Sequence, residues 1–277
     1  MKGKWKIGEP FGIGVFIHWT FAILIFLLLI GGTGLGFVEG LLVMTAVFGC
    51  VVLHELGHSL AARHYGIGTR DITLYPIGGV ASLERMPKDP MQELVIAFAG
   101  PAVNVVIAAV LFPIGYLLQA VSPALAGFVL TVGIVNVVLV VFNLLPAFPM
   151  DGGRVFRALL SMKHDRVYAT NLAAKVGKVI AVLLGLYGLF GGGTSMLIFI
   201  AIFVWYAGEG ERRMVEAEAQ PRSFGVDPDL SRIFEQFRNM QSRPMPHGSV
   251  PREHPPTTVR DAEWEVLPPE RGFRRSM

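Results

Sequence analysis

His54, Glu55 and His58 stand in the stretch VVLHELGHSL, residues 51–60, at the spacing a hydrolytic metal centre needs. On an α-helix, residues four apart lie one turn apart on the same face, so the two histidines can bind one ion together. Glu55 follows the first of them and can reach a water held by that ion. Two neutral imidazoles suit zinc, which lowers the pKa of a bound water to about 7 and leaves the glutamate to take its proton. Such a centre needs a third protein ligand and one open position. Asp151, followed by two glycines in NLLPAFPMDGGR, is the best placed by topology; His18, beside Trp19, and His64, just past the second apolar stretch, are its rivals.

The elements that must position these groups are apolar. The chain is 52% hydrophobic and 16% charged, which sets it apart from ordinary soluble domains and marks a membrane protein. Its single cysteine, Cys50, excludes an intramolecular disulfide. A helix needs about 20 apolar residues to cross the hydrocarbon core. Six stretches approach that length, at 17–36, 40–63, 92–119, 124–147, 172–190 and 194–209. They predict an all-α polytopic membrane protein of about six transmembrane helices. The basic, then apolar start is similar to a secretory signal, but it lacks a small-x-small cleavage pattern and reads as the first span. An ionisable residue such as Glu55 inside a span costs at least about 2.5 kcal/mol and is functional by default.

Lysines and arginines fall on alternate sides of these spans. Lys2, Lys4 and Lys6 precede the first; Arg63, Arg70, Arg85 and Lys88 follow the second; Arg154, Arg157, Lys163, Arg166, Lys175 and Lys178 follow the fourth. The loops around GGTGLGFVEG, QAVSPA and FGGGTS carry none. The positive-inside rule then puts both termini in the cytoplasm, with a multi-pass chain in the cell membrane. The net charge of +3 follows from this topology and does not signal nucleic acid. The second and fourth spans both run inward, which brings His54 and Asp151 toward the same face. Pro146 and Pro149 oppose continuation of the fourth helix, and irregular backbone at that depth is tolerated where it is buried in protein or lines a wet cavity.

Residues 1–210 therefore form the membrane domain, and residues 211–277 a polar, proline-rich cytoplasmic tail. Within the tail, residues 227–240 place Leu230, Ile233, Phe234 and Phe237 on one face of a short amphipathic helix, suited to the membrane surface or to a regulatory partner. A metal-ion or proton transporter could use the same His, Glu and Asp cluster. Its polar groups, however, all lie toward one face, with no sequence repeat and no second site toward the other.

HELGH at 54–58, FAGPAVN at 98–104 and NLLPAFPMDGGR at 143–154 together resemble the site-2 protease family of intramembrane zinc metalloproteases. That resemblance implies one zinc ion per chain, held by His54, His58 and Asp151, with Glu55 as general base and acid. It implies a single-span membrane protein as substrate, cut within the bilayer near the cytoplasmic side to release a cytoplasmic fragment. Asn143, Pro146 and Pro149 match the family's substrate-positioning segment, and Gly100 and Asn104 a third-helix motif that supports the site. YPIGGVASLERM at 75–86, with Gly78 and Gly79, is similar to the family's strand-like element between helices two and three, where an unwound substrate can dock by strand addition. Many six-span relatives carry a pair of CBS modules, which would need about 120 residues. Residues 211–277 are too few for that pair, so the resemblance does not carry over nucleotide control through CBS modules.

Overall fold

The computed structural model describes residues 3–30, 36–76, 78–191 and 196–219, with Arg232 and Gln236 beyond them. The chain divides into two units, Met1–Pro221 and Arg222–Met277. Apart from Arg232 and Gln236, the amphipathic segment 227–240 lies outside the described residues. The described residues of the first unit form seven α-helices and four strands: β1 (Lys4–Gly8), β2 (Gly14–His18), α1 (Phe21–Ile30), α2 (Phe37–His64), β3 (Thr69–Tyr75), β4 (Gly78–Leu83), α3 (Pro90–Leu118), α4 (Pro123–Asn143), α5 (Asp151–Ser161), α6 (Arg166–Phe190) and α7 (Met196–Ala219).

Among the described residues, four helices are long and apolar enough to cross a membrane: α2, α3, α4 and α6. Their starts follow local chemistry. Asp89 caps α3 by accepting from the Met91 and Gln92 amides at 2.8 and 3.0 Å, Ser122 caps α4, and Asp165 caps α6. α3 and α4 each begin with a proline, whose missing N–H has no partner to lose at that position. Large apolar side chains such as Leu117, Val121, Leu183 and Phe190 point outward, as a lipid-facing surface requires. The interior is built from small residues instead, among them Ala97, Ala108, Ala126, Ala174 and Ala181, which let helix backbones approach closely. α2, α3 and α4 pack in sequence, α5 packs on α3 and α6, and α6 on α7.

Two of the six predicted stretches behave differently from expectation. The first, 17–36, opens inside strand β2, and its described helix covers only Phe21–Ile30. The last, 194–209, belongs to α7, which continues through charged residues to Ala219 and does not qualify as a span by length and composition. An all-α description also fails, because the four strands form one sheet in the order β1-β2-β3-β4. β1 and β2 are antiparallel, β2 and β3 parallel, and β3 and β4 antiparallel, with Val15 opposite Ile72 and Ile72 opposite Ala81. The expected strand-like element between α2 and α3 is present as β3 and β4, and the N-terminal residues extend it. Ile13, Val15, Leu56 and Ile72 form the buried cluster that fixes the sheet against α2.

Candidate metal centre

α2 carries His54 and His58 on one buried face, and Asp151 is the first residue of α5. The glycines after Asp151 explain how it gets there. A Cβ at Gly152 would meet the Leu144 and Leu145 carbonyls, and one at Gly153 would lie 2.7 Å from the Ala147 carbonyl carbon. Only glycines let the start of α5 fold back on the segment 144–150, which carries Pro146 and the cis Phe148–Pro149 peptide bond. Gly100 does the same for α3: a Cβ there would run into the Nε2 atoms of both His58 and His54.

Three atoms converge. His54 Nε2 lies 3.1 Å from Asp151 Oδ2, His58 Nε2 lies 3.2 Å from the same oxygen, and the two Nε2 atoms are 3.1 Å apart. The other side of each ring fixes what these atoms can be. His58 Nδ1 is 2.7 Å from the Ile96 carbonyl, which can only accept, so Nδ1 carries the hydrogen and Nε2 a lone pair. His54 Nδ1 is 2.7 Å from Asn104 Oδ1, and Asn104 Nδ2 donates in turn to Asn136 Oδ1 at 2.9 Å. With neutral rings, two imidazole lone pairs and a carboxylate oxygen then face one another at closer than 3.3 Å. A proton on one ring would relieve one edge of this triangle. A cation bound by all three atoms relieves every edge.

The donor set fits zinc. Ligand atoms about 2.0–2.2 Å from a tetrahedral ion stand roughly 3.3–3.5 Å apart, close to the spacing found, and two imidazoles with one carboxylate are an ordinary catalytic set. Each imidazole donates its Nδ1–H to an oxygen acceptor, as metal-binding histidines do with the nitrogen turned away from the ion. His54, His58 and Asp151 are the one group of this kind among the described residues.

The rivals for the third position lie elsewhere. His18 Nδ1 is 2.8 Å from the Thr20 hydroxyl and its ring rests against Tyr75, while His64 is exposed at the end of α2, against the Tyr65 ring. Glu55 faces the sheet: the Ala81 amide in β4 donates to its Oε2 at 3.1 Å. β4 is an outer strand of the sheet, and a Cβ at Gly79 would lie 2.8 Å from Glu55 Cγ, so the glycine lets the strand close on the glutamate. Gly78, at φ +139°, begins that strand in a conformation glycine adopts readily. Asn143 ends α4, Pro146 is half-buried and Pro149 exposed in the segment leading to Asp151. Among the described residues Asn143 makes no hydrogen bond to the histidines or to Asp151. Sequence reasoning passed over Asn136, although an amide in the middle of an apolar helix is itself a signal of a buried partner.

The model of peptidase family M50 matches residues 42–128 and 118–184, which include all three converging residues between them. A zinc metalloprotease of Methanocaldococcus jannaschii is 38% identical over 241 residues, covering 82% of this chain and 69% of that protein. Rip3 of Mycobacterium tuberculosis is 33% identical over 224 residues, covering 74% of this chain and 57% of its own length. Among solved structures, the site-2 protease from Methanocaldococcus jannaschii superposes with a TM-score of 0.57 at 35% identity, covering 76% of this chain and 95% of that one. With apolar spanning helices around an imidazole and carboxylate cluster, and with these relatives, the chain belongs to peptidase family M50, the site-2 protease family of membrane zinc metalloproteases.

Proposed function

We propose that this protein is a zinc-dependent intramembrane endopeptidase that cuts a transmembrane segment of a membrane-anchored substrate near its cytoplasmic side and releases a cytoplasmic fragment. The observation that carries this reading is the triangle of His54 Nε2, His58 Nε2 and Asp151 Oδ2, with sides of 3.1–3.2 Å, whose two histidines sit on a helix long and apolar enough to cross a bilayer. One zinc ion per chain would be held by these atoms. When bound, zinc supplies Lewis acidity toward a water and toward a substrate carbonyl. His54 and His58 offer neutral imidazole nitrogens, and Asp151 supplies the one negative charge. Glu55 takes a proton from the attacking water on its carboxylate and gives it to the leaving amide nitrogen, the usual exchange for a positioned general base. The Ala81 N–H orients that carboxylate before substrate arrives.

The outer edge of β4 suits a substrate backbone. A substrate helix keeps its carbonyls hydrogen-bonded, so it must be unwound before water can attack, and an open strand edge offers the unwound segment new backbone partners. Gly78 and Gly79 keep that edge free of bulk, and Asn143 with the Pro146 and Pro149 segment would hold the other side. The basic residues between the spans support a cell-membrane location with both termini cytoplasmic.

The test is cleavage of a single-span substrate in proteoliposomes. Glu55→Gln is expected to slow release of the fragment by at least about 100-fold, with zinc retained. Equal cleavage by Glu55→Gln and the wild type, both zinc-loaded, would remove the proposed mechanism.

A further inference from the structure

The two histidines are fixed by different means. For His58 a main-chain carbonyl, Ile96 O, sets the ring directly. For His54 the partner is a side-chain amide, Asn104, and an amide can present either its oxygen or its nitrogen to the same place. Something else must decide which.

We propose that Asn136 is a positioning residue for the metal centre, and that it sets the proton and lone pair of His54 through Asn104. The chain of logic starts from an atom whose role cannot be exchanged. The Val132 carbonyl, one turn before Asn136 in α4, can only accept, and Asn136 Nδ2 donates to it at 2.9 Å. Asn136 therefore turns its Oδ1 toward α3. Asn104 must answer with its nitrogen, and Asn104 Nδ2 lies 2.9 Å from that oxygen. The remaining Asn104 atom, Oδ1, then faces His54 Nδ1 at 2.7 Å and requires a hydrogen there. His54 Nε2 is left with its lone pair toward His58 and Asp151. Each link has one polarity, and reversing any of them would set two acceptors or two donors against each other. Asn104 and Asn136 are both fully buried, so no water competes for these groups.

A polar pair between two apolar helices can also be simple glue between α3 and α4. The two roles separate by measurement. Asn136→Leu keeps the branching and heavy-atom count and removes the anchor, Asn136→Asp keeps an acceptor toward Asn104, and Gly115→Ala disturbs α3 against α4 without touching the amides, since a Cβ there would lie 2.6 Å from Leu130 Cδ2. Zinc affinity is read on the full chain in detergent by competition with a chromophoric chelator, beside thermal unfolding. Positioning predicts about 10–100-fold weaker zinc binding for Asn136→Leu, the effect typical of losing a partner behind a metal-binding histidine, with most of it recovered in Asn136→Asp. It predicts unchanged affinity in Gly115→Ala, whatever that variant does to the unfolding temperature. Asn136→Ala replaces the leucine variant if the latter does not fold. Zinc affinity equal to wild type in Asn136→Leu or Asn136→Ala, or reduced equally in Gly115→Ala, would overturn the proposal. The inference rests on His54, His58 and Asp151 being the zinc ligands. A wild-type chain that binds no zinc would refute that reading itself, whereas tight wild-type binding that ignores residue 136 would refute only the relay.

Discussion

Helix α5 enters two buried polar clusters, and they are built on opposite plans. At its first residue, Asp151 meets His54 and His58, and the three contacting atoms are all acceptors when the rings are neutral. Further along, Arg157, fully buried, donates from Nε and Nη2 to Glu93 and from Nη1 to Glu211, and its guanidinium lies 4.9 Å over the Phe148 ring. Arg166 adds a bond to the other Glu93 oxygen at 3.1 Å and one to the Pro87 carbonyl at 3.0 Å. Two arginines and two glutamates leave that cluster balanced in charge and matched in donors. It needs nothing from outside. The histidine cluster is balanced only when a cation joins it. A satisfied network fastens helices, here α5 to α3, α6 and α7, while a convergence of acceptors marks where a ligand belongs.

That contrast can be broken at several points. The largest effect is expected from Arg157→Met, which leaves Glu93 without its main buried partner and should destabilise the protein by about 3–5 kcal/mol, seen as a lower unfolding temperature with or without zinc. Asp151→Asn should do the reverse. Stripping zinc from the wild type with a chelator should remove about 2.7–4.1 kcal/mol of stabilisation, if free zinc stood at 100 to 1,000 times its dissociation constant, and the same treatment should barely move the variant. A chelator response equal in both would mean that Asp151 is not a ligand. Smaller again is Gly100→Ala, whose new Cβ would press on both imidazoles. It should cost about 1–3 kcal/mol as an overpacked site and weaken zinc binding, and unaltered affinity would show that α2 and α3 can separate there freely. Gly79→Val, whose side chain would meet Glu55 and Val51 on α2, should spare zinc binding while pushing β4 away from α2, at a cost of about 1 kcal/mol in stability and about tenfold in cleavage. A parallel loss of zinc would tie β4 to the centre rather than to the substrate.

The convergence of His54, His58 and Asp151 was readable in the sequence because the two histidines are local, one helical turn apart, and because the alternation of basic residues predicted Asp151 at the same end of its span as His54. The sheet was half readable. GVFIH in β2 runs straight on toward the apolar residues of α1, so a short apolar run there looks like the start of a span, and its strand partner, β3, lies beyond the whole of α2. Arg157 illustrates a different blind spot. In the sequence it counts toward the positive-inside pattern, yet its side chain is wholly buried and paired, so charge in the sequence does not reveal whether it faces water or a carboxylate. Asn136 was hidden for the same reason as β2: its meaning lies in Asn104, on another helix.

The most direct measurement is the zinc content of the full chain purified in detergent, wild type beside Asp151→Asn, by elemental analysis after dialysis against a weak chelator. If His54, His58 and Asp151 hold the ion, about one zinc per wild-type chain is expected, and a large loss of zinc from the variant. Zinc retained equally by both would contradict it.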